Sequence, residues 1–99
     1  LFRSIMDQLA EPLSLGELAS SSGLSRYQLI RHFKHHYGQT PHAYQIDQRI
    51  NRAKQLLKRG ERIAEVALQL GFADQSHFQR QFKQRLATTP RHYQQCLQG

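Results

Sequence analysis

Gly71 to Tyr93, GFADQSHFQRQFKQRLATTPRHY, decides how the chain is read, because Gly23 to Tyr44, GLSRYQLIRHFKHHYGQTPHAY, states nearly the same pattern earlier. Leu15 to Leu24 pairs with Ile63 to Phe72 at a shift of 48, which matches Glu17 with Glu65, Ala19 with Ala67 and Gly23 with Gly71. From Ser25 and Asp74 onward the shift is 49, Ala73 being the inserted residue. The pairs there are Leu29 with Phe78, Arg31 with Arg80, Phe33 with Phe82, Lys34 with Lys83, Thr40 with Thr89, Pro41 with Pro90 and Tyr44 with Tyr93. These matches fall on glycines, helix starts and apolar faces, where a shared backbone demands them. They describe a duplicated unit and not a solenoid, which normally needs roughly three or more repeats.

The chain has 99 residues, enough for one small domain or two very small units and too few for a large enclosed active site. Fourteen Lys and Arg against seven Asp and Glu give a formal net charge of +7, which favours nucleic acid or an acidic membrane as partner. No acid occurs between Leu18 and Ile46, and none from Gln75 to the end, so both repeated helices lie in acid-free zones. A single cysteine, Cys96, allows no internal disulfide and fits a reducing cytoplasm. No apolar run nears the roughly 18 residues of a membrane span, and no signal peptide is evident. The chain opens on Leu1, not Met, which we read as a piece of something longer.

Leu1, Ile5, Met6 and Leu9 recur at helical spacing and predict a short first helix that Pro12 ends. Ser14 and Glu17 form an S-x-x-E capping box for a second helix with Leu15, Leu18 and Ala19 inward, closed by Gly23. Ser25 and Gln28 start a third, with Leu29, Phe33 and Tyr37 on one stripe and Gly38 at its end. Short helix, glycine turn and amphipathic helix make a helix-turn-helix, whose second helix is presented outward. Thr40 and Pro41 open a long helix to about Arg59, with Tyr44, Ile50, Ala53, Leu56 and Leu57 apolar and Gly60 at its end. At about 1.5 Å per residue this rod spans roughly 27 Å. The second unit repeats the scheme: Ile63, Val66, Ala67 and Leu70 inward, Gly71 at the turn, Asp74 as cap, and Phe78, Phe82 and Leu86 as the buried stripe. Thr89 and Pro90 begin a last helix with Tyr93 and Leu97. The expected fold is therefore all-α. Residues 1–40 form one unit, 41–59 a linker helix and 60–99 the other unit of a single DNA-binding domain.

An α-helix fits a B-DNA major groove, and long side chains with paired donors and acceptors read base edges there. Arg31 and Arg80 could offer a fork to guanine, Gln75 and Gln79 could pair with adenine, and Ile30 could meet a thymine methyl. The plainer reading of both arginines is phosphate contact or an internal ion pair. Lys34, Lys83 and Arg85 lie further along, where phosphate contact or simple solvation is expected. The helix starts at Ser25 and Asp74 could receive phosphate through free amides, although Asp74 fits better as its own helix's cap. His32 and His36, at i and i+4, lack a third partner at a metal-binding spacing, so no metal or other cofactor is expected. No nucleophile with a base and no phosphate-binding loop stands out, and no enzyme activity is expected.

These residues resemble the C-terminal DNA-binding domain of the AraC/XylS family of bacterial transcription regulators. The likeness rests on Ile63 to Ala67, Gly71 to Ser76, Phe78, Arg80, Phe82, Lys83, Thr89, Pro90 and Tyr93, with Leu15, Leu18, Ala19, Ser25, Leu29, Arg31, Phe33, Lys34, Gly38, Pro41 and Tyr44 fitting in the first unit. It implies seven helices in two homeodomain-like helix-turn-helix units joined by a long helix. It also implies binding to double-stranded promoter DNA, often with recruitment of RNA polymerase by an activator. The base-facing positions then fall on Arg26, Tyr27, Ile30 and Arg31, and on Gln75, Ser76, Gln79 and Arg80. An effector-binding domain, which family members commonly carry N-terminally, would lie outside this chain. Two positions depart from the family pattern. Ala87 stands where a helix-ending glycine is usual, and Gln94 stands where a basic residue is frequent, which weakens one phosphate contact.

Two other classes compete. A DNA-repair enzyme could use such a domain as a targeting arm, but its only thiol, Cys96, lacks a basic cluster to activate it. Binding driven by charge alone would show no preference among sequences and a steep salt dependence.

Overall fold

The computed structural model describes residues 9–12 and 14–98. Its helices are α1 (Leu15–Ser22), α2 (Arg26–Tyr37), α3 (Pro41–Lys58), α4 (Ile63–Gln69), α5 (Gln75–Leu86) and α6 (Pro90–Gln98). No strand occurs among the described residues. The helix expected from Leu1, Ile5, Met6 and Leu9 lies almost wholly outside them, so six of the seven expected helices are seen. The chain divides into two compact units, Leu1–Gln48 and Arg49–Gly99, the boundary falling inside α3.

In the first unit α1 packs on α2. Leu15, Ala19 and Leu29 make one buried cluster, with Leu18, Leu24 and Ile30 packed at its edge. Ser14 Oγ accepts from the Glu17 amide at 3.3 Å, the hydroxyl half of the expected capping box. At Ser25 both halves form: the Gln28 amide donates to Ser25 Oγ at 3.1 Å and the Ser25 amide to Gln28 Oε1 at 2.9 Å. Between these helices Gly23 takes φ 73°, a value that only glycine adopts without strain.

The second unit packs α4 on α5 and α5 on α6. Ile50, Ala53, Leu56 and Leu57 from the latter part of α3 are buried, as are Val66, Ala67, Leu70, Phe72, Phe78 and Phe82. Asp74 caps α5, its Oδ1 accepting from the His77 amide at 2.7 Å.

The duplication extends to details of geometry. Phe33 meets Tyr44 edge to face with ring centroids 5.3 Å apart, and Phe82 meets Tyr93 likewise at 5.5 Å. Thr40 Oγ1 accepts from the Ala43 amide at 3.3 Å, and Thr89 Oγ1 from the His92 amide at 3.2 Å. Pro41 and Pro90, each opening its helix, are both fully buried.

Tyr37 departs from the buried stripe set for it. It is 39% exposed, because α2 ends there and the ring caps Phe33, stacked at 4.7 Å, instead of entering the core. Leu97, near the end of α6, is 48% exposed.

The repeat closes its two outward helices on different residues in the same conformation. Gly38 sits at φ 74° and Ala87 at φ 57°, and each donates its amide four residues back, to Lys34 and Lys83, at 2.8 Å. The end of α5 is thus the same left-handed cap without the glycine. A Cβ added at Gly38 would meet nothing within 4 Å, so only backbone strain separates the two. We predict that Ala87→Gly stabilises the protein and Gly38→Ala destabilises it, each by about 1 kcal/mol, in urea unfolding. Phe82→Ala, which empties a site with no exposure, should cost about 3 to 5 kcal/mol in the same measurement.

Candidate nucleic-acid interface

Burial of Leu29 and Phe33 fixes which side of α2 looks out. Arg26, Tyr27, Arg31, Lys34 and His35 are exposed on it, Tyr27 by 71%. Ile30 is half-buried against the Leu15 cluster and leaves only part of its side chain for an outside contact. In α5, burial of Phe78 and Phe82 leaves Gln75, Ser76, Arg80 and Lys83 exposed and Gln79 half-buried. The structure therefore places Arg26, Tyr27 and Arg31 together on one helix face, and Gln75, Ser76 and Arg80 on the equivalent face of the other unit.

The remaining candidates divide. Lys34 and Lys83 are exposed at corresponding places. Arg85 is half-buried and turned along its own helix, donating to Gln81 Oε1 at 2.6 Å and to the Gln81 carbonyl at 3.3 Å. Ser25 spends its hydroxyl and its amide on Gln28, which leaves the amides of Arg26 and Tyr27 as first-turn donors. Asp74 is the only carboxylate at either helix, and its Oδ1 is taken up by its own cap. Long donors without competing acids thus line both outward faces, which suits an anionic ligand with patterned acceptors.

Three residues hold these helices in ways the sequence did not suggest. Gln45, buried in the first unit, donates its amide to the Glu11 carbonyl at 2.9 Å. Gln94, its counterpart at the repeat shift, donates to the carbonyls of Leu57 at 3.2 Å and Glu61 at 2.7 Å. Gln94 is therefore a clamp within the fold, a role the sequence did not suggest for it. The one signal in the sequence is that Gln45 and Gln94 directly follow the paired tyrosines Tyr44 and Tyr93. Arg49 is buried on α3, donates to the Gly71 carbonyl at 3.3 Å and lies 5.5 Å from the centre of the Phe72 ring. Burial lowers the pKa of its guanidinium below the ordinary value, but an arginine starts so high that the charge persists. It thereby ties the turn before α5 to the latter part of α3 within the second unit.

His77 is half-buried with its ring against the edge of Phe72, a packed residue at the rim of the core. His32, His35 and His36 are exposed on α2. Among the described residues no group of three or more His, Cys, Asp or Glu side chains is placed to hold a metal ion. Among them, too, no helix is long and apolar enough to cross a membrane.

Two helix-turn-helix units, each with a polar outward helix, define a DNA-binding class of fold. The sequence profile of a helix-turn-helix domain matches residues 18–95. The chain belongs to the AraC/XylS family of helix-turn-helix transcription regulators. It is 44% identical over 71 residues to the uncharacterized HTH-type transcriptional regulator YbfI of Bacillus subtilis, covering 72% of this chain and 26% of that protein. It superposes with a TM-score of 0.86 and 34% identity on an AraC-type regulator of Chromobacterium violaceum, covering 95% of this chain and 85% of the other. The DNA-binding domain of AdpA, a global transcriptional factor solved in complex with a target DNA, gives a TM-score of 0.88 at 26% identity over 96% of this chain and 86% of that one. The chain spans about a quarter to a third of the length of the curated relatives it matches.

If Gln94 clamps the fold, Gln94→Ala should lower stability by roughly 1 to 2 kcal/mol in urea unfolding, because the carbonyls of Glu61 and Leu57 lose its amide, Leu57 keeping only that of Gly60. Gln94→Glu should cost at least as much, since an ionised carboxylate has no proton to donate.

Proposed function

We propose that this chain reads promoter DNA in a sequence-specific way, with α2 and α5 in successive major grooves, as the DNA-binding part of an effector-controlled transcription activator. The observation that carries the reading is the paired construction of α2 and α5. Each is sealed inward by fully buried apolar side chains, and each offers arginine, glutamine, serine or tyrosine outward at matching positions with no carboxylate beyond a cap. Arg26, Tyr27, Ile30 and Arg31 would meet bases in one groove, and Gln75, Ser76, Gln79 and Arg80 in the other. Lys34, Lys83, Arg85 and the start of α2 at Ser25 would meet phosphates, Arg85 after leaving Gln81. RNA polymerase is the partner expected of a promoter-bound activator, and the effector would act on a domain outside these residues. The target complex of AdpA supports DNA as the ligand class.

Selection of bound duplexes from a random pool tests the reading. It should return an asymmetric site with two half-sites about 10 base pairs apart. Competition against random duplex at several salt concentrations separates this from binding by charge alone, which gives no sequence ratio. Arg80→Ala should weaken binding by roughly 1 to 3 kcal/mol and relax preference at one base position in one half-site, and Arg31→Ala should do the same in the other. Equal weakening on every sequence would mark these arginines as phosphate contacts.

A further inference from the structure

We propose that the imidazoles of His32, His35 and His36 make DNA binding by the first unit proton-linked, so that the α2 half of the site is held more tightly as pH falls. The inference rests on α2 meeting DNA as set out above. It adds a role for three side chains outside the set of contacts named there.

His35 lies one helical turn beyond Arg31 on the outward side, and both are exposed. His32, His35, Arg31 and Gln28 line one open concavity on this helix together with Leu24. The three rings also lie against each other. His32 and His36 meet edge to face at 4.6 Å between centroids, and His35 and His36 at 5.8 Å. Imidazoles take up charge between about pH 5 and 8. Arg31 is the charged neighbour that shares the concavity with His32 and His35, and no carboxylate lines it. The elements packed on α2 add none. Their titratable groups are Glu17 on α1 and His42, Tyr44 and Asp47 on the first part of α3, and none of these lines the concavity. A phosphodiester backbone brought to this face supplies the missing negative charge, and binding then draws protons from the buffer onto the rings.

The second unit acts as an internal contrast. At the repeat shift of 49, His32, His35 and His36 become Gln81, Gln84 and Arg85. None of these changes charge near neutrality, so the proton linkage belongs to one half-site alone. The sign follows directly: protons taken up on binding strengthen it as pH falls and weaken it as pH rises.

The test is the dissociation constant of the protein on its selected duplex between about pH 6 and pH 8 at fixed ionic strength. Each proton taken up changes that constant by up to about tenfold per pH unit. The unsubstituted protein should lose roughly tenfold or more in affinity across the range. H32Q/H35Q/H36Q, which gives this face neutral amides and keeps His42, His77 and His92, should lose most of that slope. Calorimetric titration in two buffers of different ionisation enthalpy should register proton uptake for the first protein and much less for the second. An unchanged melting temperature would show the variant folded. H42Q/H92Q should keep the slope. A pH slope that survives H32Q/H35Q/H36Q, or affinity that is flat with pH in the unsubstituted protein, overturns the proposal and leaves DNA binding standing. Absence of sequence-selective binding at every pH removes both readings together.

Discussion

In each unit, a phenylalanine of the outward helix is pressed edge-on against a tyrosine of the helix that follows, and the rest of the surface takes its orientation from that contact. Phe33 meets Tyr44 with planes inclined at 72°, and Phe82 meets Tyr93 at 69°. Both phenylalanines are essentially without exposure. Because helical residues advance by about 100°, anchoring residue 33 or 82 inward places the arginine two positions earlier close to the opposite side. Arg31 and Arg80 thus point out for the same reason that the rings point in. The aromatic contact, with buried Leu29 or Phe78 one turn earlier, sets which face a ligand can reach.

The ends of the helices add a second layer of control, and here the two copies have begun to differ. Threonine caps and buried prolines start α3 and α6 alike. Serine begins α2 with a reciprocal pair of hydrogen bonds, whereas aspartate begins α5 with a carboxylate. The left-handed cap is glycine in one copy and alanine in the other. What stays common is the backbone path. What drifts is the side chain wherever the path can tolerate it, most of all on the faces turned away from the core.

Much of this was legible in the sequence because the governing constraints are local. Caps act over three residues, left-handed turns name themselves by glycine, and apolar spacing gives the buried side of a helix. The outward placement of Arg26, Tyr27, Arg31, Gln75, Ser76 and Arg80 agrees with that spacing. Other features depend on what the fold brings near. Gln45 reaches a carbonyl 34 residues away, Arg49 one 22 away and Gln94 one 33 away, and the repeat pairing of Gln45 with Gln94 marks two of them without naming their partners. Spacing also gives a direction without saying what covers it. Tyr37 and Leu97 point along the apolar side of their helices, yet at the helix ends they stay 39% and 48% exposed. Arg85 looked free for the same reason and instead folds back along its helix to Gln81.

The glutamine clamps have a consequence for how the molecule responds to its surroundings. Gln45 and Gln94 hold their units by uncharged amide-to-carbonyl bonds, beneath cores closed by apolar side chains. Dissolved ions screen charges and leave such neutral pairs almost untouched. The exposed cations feel a change in electrolyte more than these two clamps do. Salt that weakens contact with a polyanion therefore leaves both clamps in place.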